Sequence, residues 1–339
     1  DESWDPDAGG AATRRSVEEG VANARAFGFI NYFGLQRFGS CASVGGHVVG
    51  RLLLRRAWEE ALDLLLGAPR PYDSAAAAAA REAWRSARDP RATLGLFSGK
   101  EVAAASAEEI CLLRGLLKLG DAKGAFQTMD FRRRSMYVSS YTSRLWNELA
   151  TVHLASHSSQ SDHGPGGGST KLKEENGASG ATTPLWDVLL QVPSSSATYE
   201  GMPEVAEAFS RRLREDGIDR CQLPAKRQFR HLVVRPIGLA LEWLPAGDPG
   251  LVAGQPASEG VQSLPRDDAR RYPAARLRFD LPSGSFATMC VREILGCAST
   301  LFRPARGADG VEDHAMEIEA EPSEALGPDD DVTPTGSVA

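Results

Sequence analysis

The sequence FINYFGLQRFGS, residues 29–40, carries the densest chemical information in the chain. Aromatic rings flank Asn31, and Gly34 separates them from Gln36 and Arg37. A loop with aromatic faces, amide groups and a cation can stack a base, hydrogen-bond its edge and hold a phosphate. The same residues could also form a glycine-punctuated apolar turn whose rings belong to the core. Residue types alone leave both interpretations open.

Three further blocks follow in the chain. The first is MYVSSYTSRLWN at residues 136–147. The second joins WDVLLQVP at 186–193 to the stretch from Arg230 to Trp243. The third, LRFDLPSGSFATM at 277–289, continues into VREI at 291–294.

Together and in this order, the four blocks resemble the signature motifs of the TruD family of pseudouridine synthases, which isomerise uridine to pseudouridine in RNA. The first stretch is similar to the family's NYFGxQRFG, and the last is similar to LxFxLPxGSYATMxxRE almost residue for residue. The chain departs from the pattern at a few positions. Ser139, Ser140 and Thr142 stand where the family has His, Ala and Gln, and Ser194 replaces a glycine.

The resemblance implies an α+β fold: a pseudouridine-synthase catalytic domain with a mixed β-sheet, carrying an inserted, mainly helical TRUD domain. It also implies that the target uridine is flipped out of its stack into a pocket. By the same resemblance, Phe33 contacts the flipped base and Asn31 helps to organise the catalytic carboxylate. Neither a metal ion nor an organic cofactor is implied.

The family's nucleophile is an aspartate in a GxKDxxAxxxQ-like motif that precedes NYFG. Here the 30 residues before Asn31 contain no Lys-Asp pair. The segment from Gly120 to Gln127 offers Asp121, but it follows NYFG and has Lys and Asp in the wrong order, so we interpret Asp121 as a turn residue. We therefore expect no catalytic residue in this chain. It would lack the N-terminal part with the aspartate motif, through either truncation or divergence.

The charge distribution bears on the partner. The net charge is −7, but residues 303–339 hold ten acidic and two basic residues, so the rest carries +1. A near-neutral body can still concentrate arginine on one face and bind phosphate there. Lys226, Arg227, Arg230, His231 and Arg235 form a basic group that could contact phosphate, although charge runs are often simply solvated faces. The predicted RNA- and base-binding residues are Asn31, Phe33, Gln36, Arg37, Arg132, Arg133, Arg134, Arg230 and Arg235.

Other classes of protein receive little support. The five cysteines are scattered without a CxxC pair, so we expect reduced, mostly buried thiols. His153 and His157, with His163 beyond, have a spacing compatible with a metal site, but they enter a Ser/Gly-rich loop without a cysteine or a well-placed third ligand, so we predict no metal site. No apolar run approaches the roughly 20 residues of a membrane span, and no signal-peptide pattern follows Asp1. We expect a nuclear or cytoplasmic monomer, not secreted, whose partner is RNA, and tRNA by family resemblance.

Apolar periodicity predicts the secondary structure. Asp216 and Gly217, after a run of arginines, predict a solvated helix end and a turn. The expected helices cover 47–66, 74–88, 107–119, 131–153 and 287–295, and the expected strands cover 229–243, broken at 236–238, and 276–281.

The predicted organisation has four parts. The parts are a disordered segment 1–20, a partial catalytic core 21–59 and 226–302, an inserted TRUD domain 60–225 with a low-complexity loop 156–183, and an acidic disordered tail 303–339. Composition also marks residues 245–272, within the second part, as a loop.

The resulting hypothesis is a TruD-type RNA pseudouridine synthase that works by base flipping and an aspartate absent from this chain. The alternative is a non-catalytic RNA-binding protein with the same fold. A GxKD motif in the upstream coding sequence would favour the enzyme, and its absence there would favour the binding protein.

Overall fold

The computed structural model describes residues 6–39, 44–71, 73–100, 102–103, 106–158, 185–244 and 274–296. The expected loop 245–272, the tail 303–339 and all but the start of the loop 156–183 lie outside these ranges. The helices are α1 Pro6–Phe27, α2 Leu35–Phe38, α3 Gly46–Leu54, α4 Trp58–Gly67, α5 Ala75–Ala87, α6 Pro90–Phe97, α7 Ala107–Leu119, α8 Ala122–Thr128, α9 Phe131–Ser158, α10 Pro203–Asp216 and α11 Ala287–Leu295. The strands are β1 Phe29–Ile30, β2 Leu189–Gln191, β3 Phe229–His231, β4 Val233–Val234, β5 Ile237–Leu244 and β6 Ala274–Asp280.

Local capping signals confirm several of the predicted helix ends. The Ser74 hydroxyl accepts a hydrogen bond from the Ala77 N–H at the start of α5. Gly120 ends α7 in the left-handed conformation, which glycine adopts at little cost. The Asp121 carboxylate accepts the Gly124 N–H and caps α8. Asp121 is therefore a turn and capping residue, as expected.

The helix predicted over residues 47–66 is instead two helices, α3 and α4. The chain breaks at Arg55 and Arg56, and Arg56 adopts a φ of 61°. Both arginines are exposed, whereas Leu53 on one side and Leu62 on the other are buried in the same apolar cluster. The break turns two apolar stripes toward one core, which periodicity along the chain could not indicate.

The N-terminal segment expected to be disordered enters helix α1 at Pro6. Val17, Val21 and Ala24 recur at helical spacing and are buried. They belong to an apolar cluster that also contains Ile294 of α11. The first residues, which are rich in Asp, Gly and Ala, show no apolar periodicity, and the buried stripe begins only at Val17.

The described strands form three antiparallel pairs: β1 with β4, β2 with β3, and β5 with β6. The predicted break near Pro236 separates β4 from β5, and Gly238, with a φ of 64°, lies at an irregularity in the β5–β6 register. The α+β class is confirmed. A single mixed sheet does not occur within the described residues.

Three apolar clusters hold these elements. One cluster joins α9 and α10 to β2 and the β3–β4 segment, a second lies among α3 to α8, and a third joins α1, β5 and α11. The second includes Val49, and the first includes Leu232, so both extend beyond the predicted insertion limits of 60 and 225. Those limits stay a prediction. In the described part of the chain, no helix is both long and apolar enough to cross a membrane.

Candidate functional site

The loop from Asn31 to Gly34, called the NYF loop or Phe33 loop below, lies between β1 and α2 and is held by distant parts of the chain. The Asn31 N–H donates to the Leu232 carbonyl at 2.9 Å, which extends the β1–β4 pairing into the loop. A Cβ atom on Gly34 would lie 3.3 Å from the Met289 sulfur, so a glycine fits best where α11 packs on the loop. The NYFG block and the closing GSFATM block therefore meet in space.

Arg230, at the centre of β3, ties this loop to the turn before α11. Its Nε donates to the Asn31 carbonyl, and one Nη donates to Asn31 Oδ1, both at 2.7 Å. The other Nη bonds the Gly284 carbonyl. The Asn31 Nδ2 in turn donates to the His231 carbonyl at 3.2 Å. These bonds fix both the backbone and the amide orientation of Asn31.

The guanidinium of Arg230 is buried among aromatic rings. Its central carbon lies 4.2 Å from the Phe33 ring centroid, 5.0 Å from that of Phe286 and 5.3 Å from that of Trp146. Burial, and secondarily the charge of Arg37, lower the pKa of Arg230 to about 10. The side chain still carries its charge at neutral pH. Its bonds point to the chain's own backbone, which argues against the external phosphate contact expected from sequence.

Phe33 is a buried wall of this site, with 9% of its surface exposed. Its ring meets Trp146 edge-on at a centroid distance of 5.7 Å and lies 6.0 Å from Phe286. The guanidinium carbon of Arg37 lies 5.6 Å from the same ring. Arg37 is half-buried and sits on the four-residue helix α2. The guanidinium groups of Arg37 and Arg230 therefore both lie against the Phe33 ring.

Helix α9 supplies the other restraint on the loop. Asn147 Oδ1 accepts the Phe33 N–H at 2.9 Å, and Asn147 Nδ2 donates to the Phe33 carbonyl at 3.0 Å. One turn further on, the Thr151 hydroxyl bonds the Tyr32 hydroxyl at 2.8 Å. The aromatic block of α9 therefore faces the NYF loop directly.

The remaining predicted residues are spread over the molecule. Gln36 is exposed on α2, beside Arg37. Arg133, with its neighbours Arg132 and Arg134, lies 14 residues before Asn147 on α9, or about 21 Å along the helix axis. Arg133 pairs with Glu108 at 3.3 Å. The three arginines are thus not brought to the Phe33 loop.

Arg235 also lies apart from the loop. Its guanidinium carbon lies 4.1 Å from the Trp186 ring centroid, and its side chain is exposed. Of the predicted set, the structure therefore gathers Asn31, Phe33, Arg37 and Arg230. Trp146, Asn147 and Phe286 complete that group and were not selected from sequence, although all three lie within the quoted blocks.

The expectation of a solvated helix end at Asp216 is wrong in part. Gly217 ends α10 in the left-handed conformation, as a turn requires, but Asp216 is buried. Its carboxylate accepts bonds from Arg51 at 3.1 Å, Tyr141 at 2.9 Å and Arg212 at 3.1 Å. Burial and this bond to Asp216 raise the pKa of Tyr141 well above its usual range. The carboxylate joins α3, α9 and α10 behind the site.

The described cysteines are unpaired. Cys290 is buried, Cys111 is half-buried and Cys221 is exposed, so burial is less general than expected. Burial raises the pKa of Cys290 to about 11, which keeps its thiol protonated and unreactive at neutral pH.

Several known proteins are similar to this chain. A family model described as tRNA pseudouridine synthase D (TruD) matches residues 7–167. The crystal structure of a tRNA pseudouridine synthase D from Methanosarcina mazei superposes with a TM-score of 0.58 at 18% identity, over 86% of this chain and 66% of that one. That likeness establishes the shared fold.

Curated relatives agree with the family match. The chain is 27% identical over 298 residues to Pseudouridylate synthase 7 homolog from Bos taurus, and 26% identical over 328 residues to Multisubstrate pseudouridine synthase 7 from Schizosaccharomyces pombe. The matches cover 84% of this chain but 44% and 47% of those proteins, so the chain spans about half the length of these relatives. Residues 7–167 thus match the TruD family of pseudouridine synthases, and the curated relatives and the shared fold agree with that match.

Proposed function

We propose that this chain forms the base-binding part of an RNA pseudouridine synthase that isomerises uridine in tRNA. The observation that supports this most is the enclosure of Phe33. Arg230 and Asn147 restrain the loop from opposite sides, and Trp146 and Phe286 surround the ring. A loop fixed by so many internal bonds presents its aromatic ring in one geometry, which a flipped base requires.

The reaction defines what the site must do. Isomerisation breaks the bond between N1 of uracil and C1′ of ribose and forms a bond between C5 and C1′. C5 then loses its proton, and N1 gains one. The base must therefore stay bound while it is detached and rotated, and an aromatic stacking partner can hold it without fixing its in-plane orientation.

Roles follow for the gathered residues. Phe33 stacks on the target base after Arg37 has moved toward a phosphate. Asn31 orients the catalytic carboxylate, and Arg230 is a positioning residue that fixes Asn31. The nucleophilic aspartate would be that of the family's GxKD-type motif, which residues 1–30 do not contain. No metal or organic cofactor takes part in this proposal.

The protein acts as a monomer in the nucleus or cytoplasm, on tRNA, with the residues at 132–134 and Arg235 as phosphate contacts outside the pocket. The catalytic core at 21–59 and 226–302 and the insertion at 60–225 would form the two walls of a basic cleft. The non-catalytic RNA-binding alternative is less favoured, since the matched relatives bear enzyme names.

The test is tritium release from tRNA labelled at C5 of uridine, with protein expressed from the complete coding sequence. We expect release by the wild type, and a loss of more than about tenfold in Phe33→Ala and Asn31→Ala. Ser210→Ala, which removes one local bond on α10, serves as the matched control. RNA binding without release would establish the non-catalytic alternative. The proposal would be overturned if the protein neither binds the tRNA nor releases tritium from it.

A further inference from the structure

The β2–β3 ribbon has a second face that the Phe33 loop does not use. Along β3, Arg230 is buried against that loop, whereas its neighbours Phe229 and His231 are exposed, Phe229 by 58%. His231 lies opposite Leu189 in the antiparallel register, and Leu189 is 48% exposed. Because successive strand residues point to opposite faces, Phe229 and His231 lie on one face of β3, and Arg230 with the Phe33 loop lies on the other.

An aromatic–cation pair extends this exposed face. The guanidinium of Arg235 stacks on Trp186 at 4.1 Å, and Trp186 is itself 36% exposed. The Trp186 carbonyl oxygen lies 3.3 Å from His231 Nδ1, so the pair adjoins the ribbon. We call Trp186, Leu189, Phe229, His231 and Arg235 together the outer ribbon surface.

The charge around this surface is positive. The segment 224–237 contains Lys226, Arg227, Arg230 and Arg235 and no acidic residue. Lys226 and Arg227 are exposed, and no carboxylate in the described ranges pairs with them or with Arg235. Asp187 is the exposed acidic residue nearest in sequence on the β2 side. Exposed apolar patches mark interaction sites, and one rimmed by unpaired cations complements a polyanion better than an apolar protein face.

We propose that the outer ribbon surface binds an unpaired segment of RNA. Bases stack on Phe229 and Trp186, while phosphates contact Lys226, Arg227 and Arg235. A duplex cannot use these rings, because its base faces are already stacked on one another. The surface lies on the opposite face of β3 from Phe33, so it holds nucleotides that flank the target uridine. This inference rests on the proposed function and adds that the substrate is single-stranded beside its target.

The test measures RNA affinity of the 339-residue chain by fluorescence anisotropy. One probe is an unstructured RNA of uridine and cytidine of about 12 nucleotides, and the other is an RNA duplex of the same length. The double variant Trp186→Ala and Phe229→Ala should weaken single-strand binding at least about fivefold and duplex binding less than about twofold, since it removes two stacking rings and no charge. Arg235→Ala should weaken both, because duplex and single strand carry the same phosphates.

Matched controls come from elsewhere on the chain. Phe27→Ala removes a ring that is 52% exposed at the end of α1, and Arg91→Ala removes an exposed arginine on α6. Both should leave either affinity unchanged. Phe27→Ala, Arg91→Ala and Arg235→Ala should match the wild type in melting temperature, because their side chains are exposed. The double variant should melt somewhat lower, because only 36% of Trp186 is exposed, so all affinities are compared well below its melting temperature.

Three results would overturn the inference. Wild-type RNA binding that the aromatic double variant leaves unchanged would refute the surface while the proposed function stands. An unchanged affinity together with an altered oligomeric state, measured by light scattering, would make the surface a protein contact. A wild-type chain that binds neither probe would refute the surface, whereas the proposed function is decided separately by tritium release from tRNA.

Discussion

The side-chain amide of Asn147 bonds both polar groups of the Phe33 backbone, accepting its N–H at 2.9 Å and donating to its carbonyl at 3.0 Å. The two residues are 114 positions apart in sequence. A reciprocal pair of this kind restrains the peptide groups on both sides of Phe33. Helix α9 therefore sets the direction of the ring as well as packing against it.

Replacing Asn147 with alanine should loosen this loop. Two part-buried backbone groups would lose their partner, at a cost of about 1–3 kcal/mol for each group left without one. We expect a lower urea midpoint and faster hydrogen exchange at the Phe33 amide. Ser210→Ala is the control. An exchange rate at Phe33 equal to that of the wild type would show that Asn147 does not restrain the loop.

Phe33→Ala should destabilise the protein as well as impair base binding. The ring is 9% exposed and packs on Trp146, and removal of a buried phenylalanine costs about 3–5 kcal/mol. Phe131→Ala, at a ring 72% exposed, should leave the melting temperature nearly unchanged. Phe33→Tyr keeps the ring face and should retain most of the activity. If Phe33→Ala reduces stability but leaves the single-turnover rate per folded molecule intact, Phe33 serves packing alone.

Glu109→Gln should be among the more damaging substitutions in the α4–α8 region. The Glu109 carboxylate is 2% exposed and lies 2.9 Å from both Arg81 and Arg70. Breaking a buried pair leaves a desolvated charge without its partner and costs about 3–5 kcal/mol. Denaturant unfolding measures the loss. Glu82→Gln, which removes an exposed pair with Arg85, should leave the midpoint unchanged, and equal effects of the two substitutions would contradict the expectation.

His47 should make the stability depend on pH. Burial, and then the charges of Arg144 and Arg51, lower the pKa of His47 below 6.5. As the pH falls through 6.5 toward that lower native value, the unfolded chain binds a proton that the folded chain does not. Stability therefore decreases with falling pH in this window and is restored above it.

The measurement for His47 is the melting temperature between about pH 7.5 and about pH 5.5. The wild type should lose more than His47→Gln over this range. His231→Gln, at an exposed histidine, should follow the wild type. A His47→Gln curve parallel to the wild type would assign the pH dependence to other groups.

Local patterns predicted the local structure well. Helix α5 with its Ser74 cap and helix α7 with its Gly120 end lie where expected, because a few neighbouring residues determine each of them. The break at Arg56 was missed for a physical reason. The chain turns there so that Leu53 and Leu62 share one core, and that core is built by segments far along the sequence.

The site was predicted in part for the same reason. The resemblance selected Asn31 and Phe33, and the structure joins them to Arg37 and Arg230. Sequence assigned Arg230 to external phosphate because an arginine in a basic run is ordinarily solvated, yet its donors are directed at Asn31 and Gly284. The partner of a side chain across 199 positions is a property of the fold and cannot be inferred from spacing.

The contacts around the NYF loop also have a kinetic consequence. The two restraints span 114 and 199 positions, so each requires the closure of a very long loop before it can form. We expect such contacts to form late in folding, once α9 and the β3–β4 segment have docked, because the entropy of loop closure must first be offset. A nascent or proteolysed chain that lacks β3 cannot present the aromatic ring in its final geometry. We therefore expect the Phe33 ring to reach its final direction only at the end of folding, so a partially synthesised molecule would lack this part of the candidate site.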